Sequence, residues 1–168
     1  MRNKSTQMIV MLGVLSALGI LLRYVSFPPS GTTRFELSSI PIAVAAQMYG
    51  PLAGALSALV TDLLGTIMSS QTPFPPITVC KVLTGAVFGI FLWKKQTFKR
   101  IVLCMLTVFI VIDILAMGWV LSGLYGTPLI ETMLARVPLY ILCTALRIAV
   151  ITILNRYLGG IINSYNSK

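Results

Sequence analysis

The chain has 168 residues, of which 57% are hydrophobic and only 10% are charged, and 13 Lys and Arg against 4 Asp and Glu give a formal net charge of +9. Soluble domains are about 45–50% apolar and about 25% charged, and a chain this small has too much surface for so few charges to cover in water. The composition therefore excludes a cytosolic enzyme, a disordered linker and a secreted disulfide scaffold. It predicts a protein of the lipid bilayer.

Six apolar runs follow one another along the chain, and a helix needs about 20 apolar residues to cross the hydrocarbon core. The first is longer than the apolar part of a signal peptide and no small-x-small cleavage pattern follows it, so we predict a span. The second is short for a full crossing and ends at Gly50-Pro51, a helix stop followed by a favoured helix start. We predict an all-α, polytopic protein with a single membrane domain, 1–168, and six transmembrane helices at about 8–27, 37–49, 52–70, 77–93, 101–122 and 129–158.

Basic residues between these runs predict the orientation, because cytoplasmic loops collect Lys and Arg. Eight of them fall on one side: Arg2, Lys4, Lys94, Lys95, Lys99, Arg100, Arg156 and Lys168. The loops on the other side offer only Arg34, which Glu36 opposes. Both termini are therefore predicted to be cytoplasmic. Most of the positive charge is explained by topology, so we predict no nucleic-acid partner.

Charged residues inside the apolar runs mark function by default, because a bilayer excludes them. There are six: Arg23, Asp62, Lys81, Asp113, Arg136 and Arg147. A guanidinium forms a bidentate pair with a carboxylate, so cations beneath the outer loops predict a receptor for an anionic small molecule. The alternative for the mid-membrane residues is that Asp62 or Asp113 pairs with Lys81 or Arg147 between helices. For Arg34 and Arg136 the sequence favours a functional role.

Aromatic residues lie near the same outer loops, namely Phe35, Phe74, Trp119, Tyr125 and Tyr140. Aromatic faces stack on planar heterocycles in ligand pockets, although an interfacial belt is the alternative for each of them. In the first run, Gly13 and Ala17 form a small-xxx-small pattern, which indicates a partner helix.

The chain lacks the residues of the common catalytic and metal sites. It has no His, and Cys80, Cys104 and Cys143 lie at unrelated spacings inside apolar runs. No glycine-rich phosphate loop is present. We therefore predict no catalytic residues, no metal site, no cofactor and no ATP hydrolysis by this chain.

Several segments resemble one known family, over roughly Met8–Leu158. They are Thr33-Arg34-Phe35-Glu36, Tyr49-Gly50-Pro51-Leu52, Asp62-Leu63-Leu64-Gly65, Phe74-Pro75-Pro76, Leu83-Thr84-Gly85 and Trp119-Val120-Leu121-Ser122, with Arg136 further on. In these segments the chain resembles the substrate-binding S component of energy-coupling factor (ECF) vitamin transporters, and most closely the folate family.

The resemblance implies a high-affinity folate-binding subunit of an ATP-driven importer in the cell membrane of a Gram-positive bacterium. It implies three partner subunits, a transmembrane coupling protein and two cytoplasmic ATPases, with Gly13 and Ala17 as the nearest match to the docking pair on the first helix. Two alternatives stay open: an S component for another vitamin, such as thiamin or riboflavin, and a structural membrane protein with no ligand pocket.

With folate as the ligand, we predict a site beneath the outer loops. The pteridine ring would stack on aromatics, with Trp119 and Tyr125 first, and Phe74, Pro75 and Tyr140 would lie in the same pocket. Asp62 would accept hydrogen bonds from the pterin amino and ring N–H groups. The glutamate tail would be neutralised by Arg34, Lys81, Arg136 or Arg147. The first outer loop, with Pro28-Pro29 and Gly31, would act as a lid. Asp113 receives no role.

Overall fold

The structure is a computed structural model, and it describes residues 4–25, 37–69, 74–93 and 97–166. These residues are helical apart from short turns, and they contain no strand. The predicted all-α class is confirmed. In chain order the helices are α1 Lys4–Val25, α2 Ser39–Tyr49, α3 Pro51–Met68, α4 Pro75–Leu92, α5 Phe98–Tyr125 and α6 Leu129–Asn166.

Five of these helices are long and apolar enough to cross a membrane, and α2 is the exception. With 11 residues, α2 rises only about 16 Å, roughly half of the hydrocarbon thickness. It is nevertheless deeply buried, since every residue from Pro41 to Met48 is shielded by the surrounding helices. The chain is a multi-pass membrane protein in which the shortest helix lies at the centre.

A single glycine turns the chain from α2 into α3. Gly50 has φ of +89°, a left-handed conformation that a side chain would strain, and its N–H donates to the carbonyl of Ala46 at 2.9 Å. Pro51 takes the first position of α3, where its missing N–H is not needed. The stop and restart predicted from this dipeptide are both present.

Small residues bring α3 and α4 together as antiparallel neighbours. Gly54 faces Gly85, and a Cβ added to either would collide with the backbone of the other. Pro51 likewise packs on Gly89. Apolar side chains of α4 and α5 form the core, among them Phe88, Leu92, Ile101, Cys104, Met105 and Val108.

The centre of α5 differs from the ordinary helix predicted there. Its turns are α-helical over Phe98–Thr107 and Met117–Tyr125, but π-helical over Val108–Ala116. The wider turn buries Ile112 and Asp113 together, while Val111 and Leu115 stay exposed.

The last helix, α6, continues through Pro138. The helix does not restart at this proline, although a proline inside a helix usually kinks or breaks it. At 38 residues it is about 57 Å long, well beyond the thickness of the hydrocarbon core.

Candidate functional site

The first group of buried polar residues joins α1, α3 and α4. Arg23 Nη1 donates to Asp62 Oδ1 at 2.9 Å, and Arg23 Nη2 donates to Thr66 Oγ1 at 3.0 Å. Thr78 Oγ1 donates to the other carboxylate oxygen, Asp62 Oδ2, at 2.8 Å. Asp62 is therefore paired between helices, as the alternative interpretation held, but its partner is Arg23 rather than Lys81 or Arg147. The reason is that α1 runs beside α3 in a register that brings Arg23 level with Asp62.

A second buried pair joins α5 and α6. Arg147 Nη1 donates to Asp113 Oδ2 at 3.0 Å, and the two side chains are 3% and 7% exposed. This is one of the interhelical pairings that the sequence allowed. A carboxylate and a guanidinium at this depth are stable only when each has a charged or hydrogen-bonding partner.

A cleft lies beside the second pair, between α4, α5, α6 and the start of α2. Its lining combines three charged side chains, three hydroxyls and one apolar residue, which are Lys81, Asp113, Arg147, Ser38, Ser39, Thr84 and Ile42. The formal charge of this set is +1, which suits a ligand with both N–H donors and negative charge. The cleft encloses about 10 Å³, about the room of one water molecule. Pockets for organic ligands are commonly about 300–1,000 Å³, so the cleft in this conformation is smaller than such a pocket.

The inner face of α6 carries polar side chains beyond the cleft. Arg136 is 2% exposed; its Nη2 donates to Tyr140 Oη at 2.6 Å, and its guanidinium carbon lies 4.7 Å from the centre of the Tyr140 ring. Cys143, Thr144 and Arg147 continue the buried face. Eleven residues separate Arg136 from Arg147, so this face spans about 16 Å.

The structure brings together some of the residues predicted for the site and separates others. Lys81 and Arg147 line the cleft, and Arg136 and Tyr140 lie on the same face of α6. Asp62 belongs to the separate group on α1, α3 and α4.

The predicted aromatic and loop residues lie elsewhere. Trp119 and Tyr125 are 71% and 53% exposed, and neither lines the cleft. Phe74 is half-buried just before α4, and Pro75 is exposed at its first position. Arg34 and the predicted lid fall outside the described residues.

Sequence reasoning missed part of the lining of the cleft. Ser38, Ser39 and Thr84 contribute hydroxyls, and Asp113 contributes the carboxylate. Two features of the sequence could have indicated these residues. One is the pair of serines, Ser38 and Ser39, where an apolar helix begins, and the other is Asp113, an intramembrane acid without an assigned role.

The predicted docking residues are accessible on α1. Gly13 and Ala17 are exposed, and Gly13 has no neighbour within 4 Å of where a Cβ would lie. A different face of α1 packs on α3, where Ser16 and Ser57 share a hydrogen bond of 3.1 Å and Gly19 lies against Thr61.

Comparison with solved structures supports this fold. The crystal structure of FolT bound with folic acid superposes with a TM-score of 0.83, at 24% identity, covering 92% of this chain and 94% of that one. The S component of a bacterial ECF transporter gives a TM-score of 0.72 at 25% identity, covering 95% of this chain and 99% of that one.

Comparison of sequences identifies the family. The folate transporter FolT of Clostridium novyi (strain NT) is 31% identical over 72 residues, which are 42% of this chain and 42% of the relative, so the alignment spans about two fifths of that protein. The family model described as ECF transporter, substrate-specific component, matches residues 7–165. Because this match takes in nearly the whole sequence, the chain belongs to the substrate-specific components of ECF transporters.

Proposed function

We propose that this chain captures folate for an ECF-type importer. The observation that carries the proposal is the cleft, where a buried carboxylate and two cations lie between α4, α5 and α6, in a fold shared with a protein whose structure contains folic acid. The name of the Clostridium novyi relative, a folate transporter, supports the same vitamin. Charged residues inside a membrane protein mark a functional site by default, which supports the same proposal.

A folate site must bind two different parts of the ligand, a flat pteridine ring and a glutamate tail with two carboxylates. We assign the tail to Arg136 and to Arg34, with Lys81 as a further cation. Arg147 lines the same cleft and is paired with Asp113. We assign the pteridine ring to two aromatic side chains. Tyr140 is buried beside Arg136, and Phe74 directly precedes α4. The exposure of Trp119 and Tyr125 suits an interfacial belt.

Uptake requires partners, since this chain offers no phosphate-binding loop. We infer that a transmembrane coupling protein docks on the exposed Gly13 and Ala17 of α1, and that two ATPases on the cytoplasmic side supply the energy. Both termini face the cytoplasm in this arrangement, in agreement with the basic residues between the runs. We expect the complex in the cell membrane of a Gram-positive bacterium, as the resemblance implies.

Ligand binding by the purified chain tests the vitamin. Calorimetry in detergent with folate, thiamin and riboflavin should show tight binding of folate alone. If thiamin or riboflavin binds and folate does not, the vitamin is wrong although the class stands. If none of the three binds, the proposed function is contradicted.

A variant tests the assignment of the glutamate tail. Arg136→Ala should weaken folate by about tenfold or more, the loss expected for a charged hydrogen bond, while pteroate, which lacks the glutamate, is much less affected. Arg156→Ala is the matched control, since Arg156 lies on the same helix but is exposed. An equal loss for folate and pteroate would remove the assigned role of Arg136.

A further inference from the structure

Asp113 is the only acidic side chain among the described residues that line the cleft. It is 5% exposed, and its Oδ2 accepts a hydrogen bond from Arg147 Nη1 at 3.0 Å. Lys81 lines the same cleft from α4. The buried carboxylate is thus held in place by a cation from one neighbouring helix and faces the space that a ligand would enter.

The backbone at Asp113 supplies an independent observation. The residue lies in the π-helical segment Val108–Ala116, and π-helical turns are rare and frequent at functional sites. In this segment Asp113 faces the interior although the residues around it, Val111 and Leu115, are each 50% exposed. An irregular helix therefore presents one acid to the cleft from an otherwise apolar stretch.

Asp62 is the natural comparison, because the two acids share the same burial of 5% and an ion pair with an arginine. They differ in position. Asp113 lines the cleft and Asp62 does not. The carboxylate that a ligand can meet is that of Asp113.

We propose that Asp113 determines the specificity of the site by accepting hydrogen bonds from the 2-amino group and the adjacent ring N–H of the pterin. This inference rests on the proposed function and replaces Asp62 as the acceptor. An ionised carboxylate only accepts, and its two oxygens offer about four lone-pair sites, so it can accept from Arg147 and from a ligand together. Hydrogen bonds to a charged acceptor are the strong ones. Arg147 is a positioning residue that orients the carboxylate.

Two ligands that differ at the 2-amino group test the proposal. Wild-type protein should bind folate at least about tenfold more tightly than 2-deaminofolate, since the analogue removes a donor to a charged acceptor. In Asp113→Asn, folate should weaken by about 10- to 100-fold, whereas the analogue should weaken less, because its remaining ring N–H can still donate to the amide oxygen. The ratio of the two affinities should then fall to within about threefold of unity. In Asp62→Asn, measured alongside, the ratio should stay at the wild-type value.

Each other result has a defined meaning. An unchanged ratio in Asp113→Asn overturns the proposal, and so does an equal loss for both ligands, which would indicate a structural role alone. A ratio that falls in Asp62→Asn instead restores Asp62 as the acceptor. Wild-type protein that binds no folate contradicts the proposed function itself, and this is seen before any variant is measured.

A second variant keeps the test available if Asp113→Asn does not fold. The double variant Asp113→Asn/Arg147→Gln replaces the pair with two amides and leaves no guanidinium without its carboxylate. It should show the same fall in the affinity ratio. A ratio that remains at the wild-type value in the folded double variant overturns the proposal.

Discussion

Arg23 and Asp62 show how a single ion pair holds three helices together inside an apolar bundle. The guanidinium on α1 reaches Asp62 and Thr66 on α3, and Thr78 on α4 completes the coordination of the carboxylate. Asp62 is nearly inaccessible, with 7% of its side chain exposed, whereas that of Arg23 is 20% exposed. Removing one partner of such a pair leaves the other charge buried without compensation. This destabilises a protein more than replacing both partners by well-packed apolar residues does.

Replacing the carboxylate should therefore destabilise the protein. We expect Asp62→Asn to lower the free energy of unfolding by about 3 kcal/mol, the lower end of the range for a broken buried pair, because Arg23 retains some access to solvent. Chemical denaturation in mixed micelles measures this difference. Glu131→Gln is the matched control, since Glu131 is exposed at the start of α6 and its change should stay within about 0.5 kcal/mol. Equal losses for the two variants would show that the Arg23–Asp62 pair does not stabilise the fold.

The residues of the candidate site were only partly predictable from the sequence. Hydropathy alone identifies which charges lie inside the apolar runs, and it allowed the Asp113–Arg147 pair. It does not identify Arg23 as the partner of Asp62, because that choice depends on the register between α1 and α3. The exposure of Trp119 could not be predicted either, because a position near an outer loop does not reveal which way the side chain points.

At the scale of the helices, α3 and α4 depend on glycine for their close approach. A Cβ on Gly85 would meet the carbonyl of Gly54, as well as the side chain of Ala58 at 3.0 Å. Backbone atoms cannot move aside as the end of a flexible side chain can, so the two helices would have to separate.

Gly85→Ala should reduce stability by about 1–3 kcal/mol, the usual effect of overpacking. The control is Gly123→Ala, because Gly123 lies in α5 with nothing within 4 Å of the added Cβ, and there alanine should be neutral or slightly stabilising. Both values come from the midpoint of thermal unfolding in detergent. If Gly123→Ala is the more destabilising of the two, close packing of α3 on α4 is not what limits stability.

Element boundaries and types were largely accessible from the sequence, and two features of the helices were not. Apolar runs and the Gly50-Pro51 break predict six helices, because length and hydropathy leave few alternatives in a bilayer. The π-helical segment of α5 has no signature in the order of its apolar residues. The continuity of α6 through Pro138 likewise has no signature in the sequence, because a proline inside a helix usually kinks or breaks it.

For the whole molecule, the cleft and the proposed docking surface lie on different faces of the helices. Only 11% of the residues from Thr6 to Arg23 in α1 are buried. The contacts of α1 with α3 run along the face of Ser16, Gly19 and Arg23. The cleft lies between α4, α5, α6 and the start of α2, and α1 approaches it on its buried face, where Gly19 lies near the carbonyl of Ser38. A change on the exposed part of α1 can therefore disturb assembly without reaching the ligand.

Ala17→Trp makes use of this separation. Under the proposed function, the added indole should block close approach of a coupling protein, so uptake of labelled folate by cells with the complete transporter should fall at least about tenfold. Folate binding by the purified subunit should stay within about twofold. Leu18→Trp is the control, since Leu18 is also exposed but points about 100° away around the helix, and it should leave both measurements unchanged. If Ala17→Trp lowers binding and uptake by the same factor, or if both variants impair uptake equally, the face of Gly13 and Ala17 is not the docking surface.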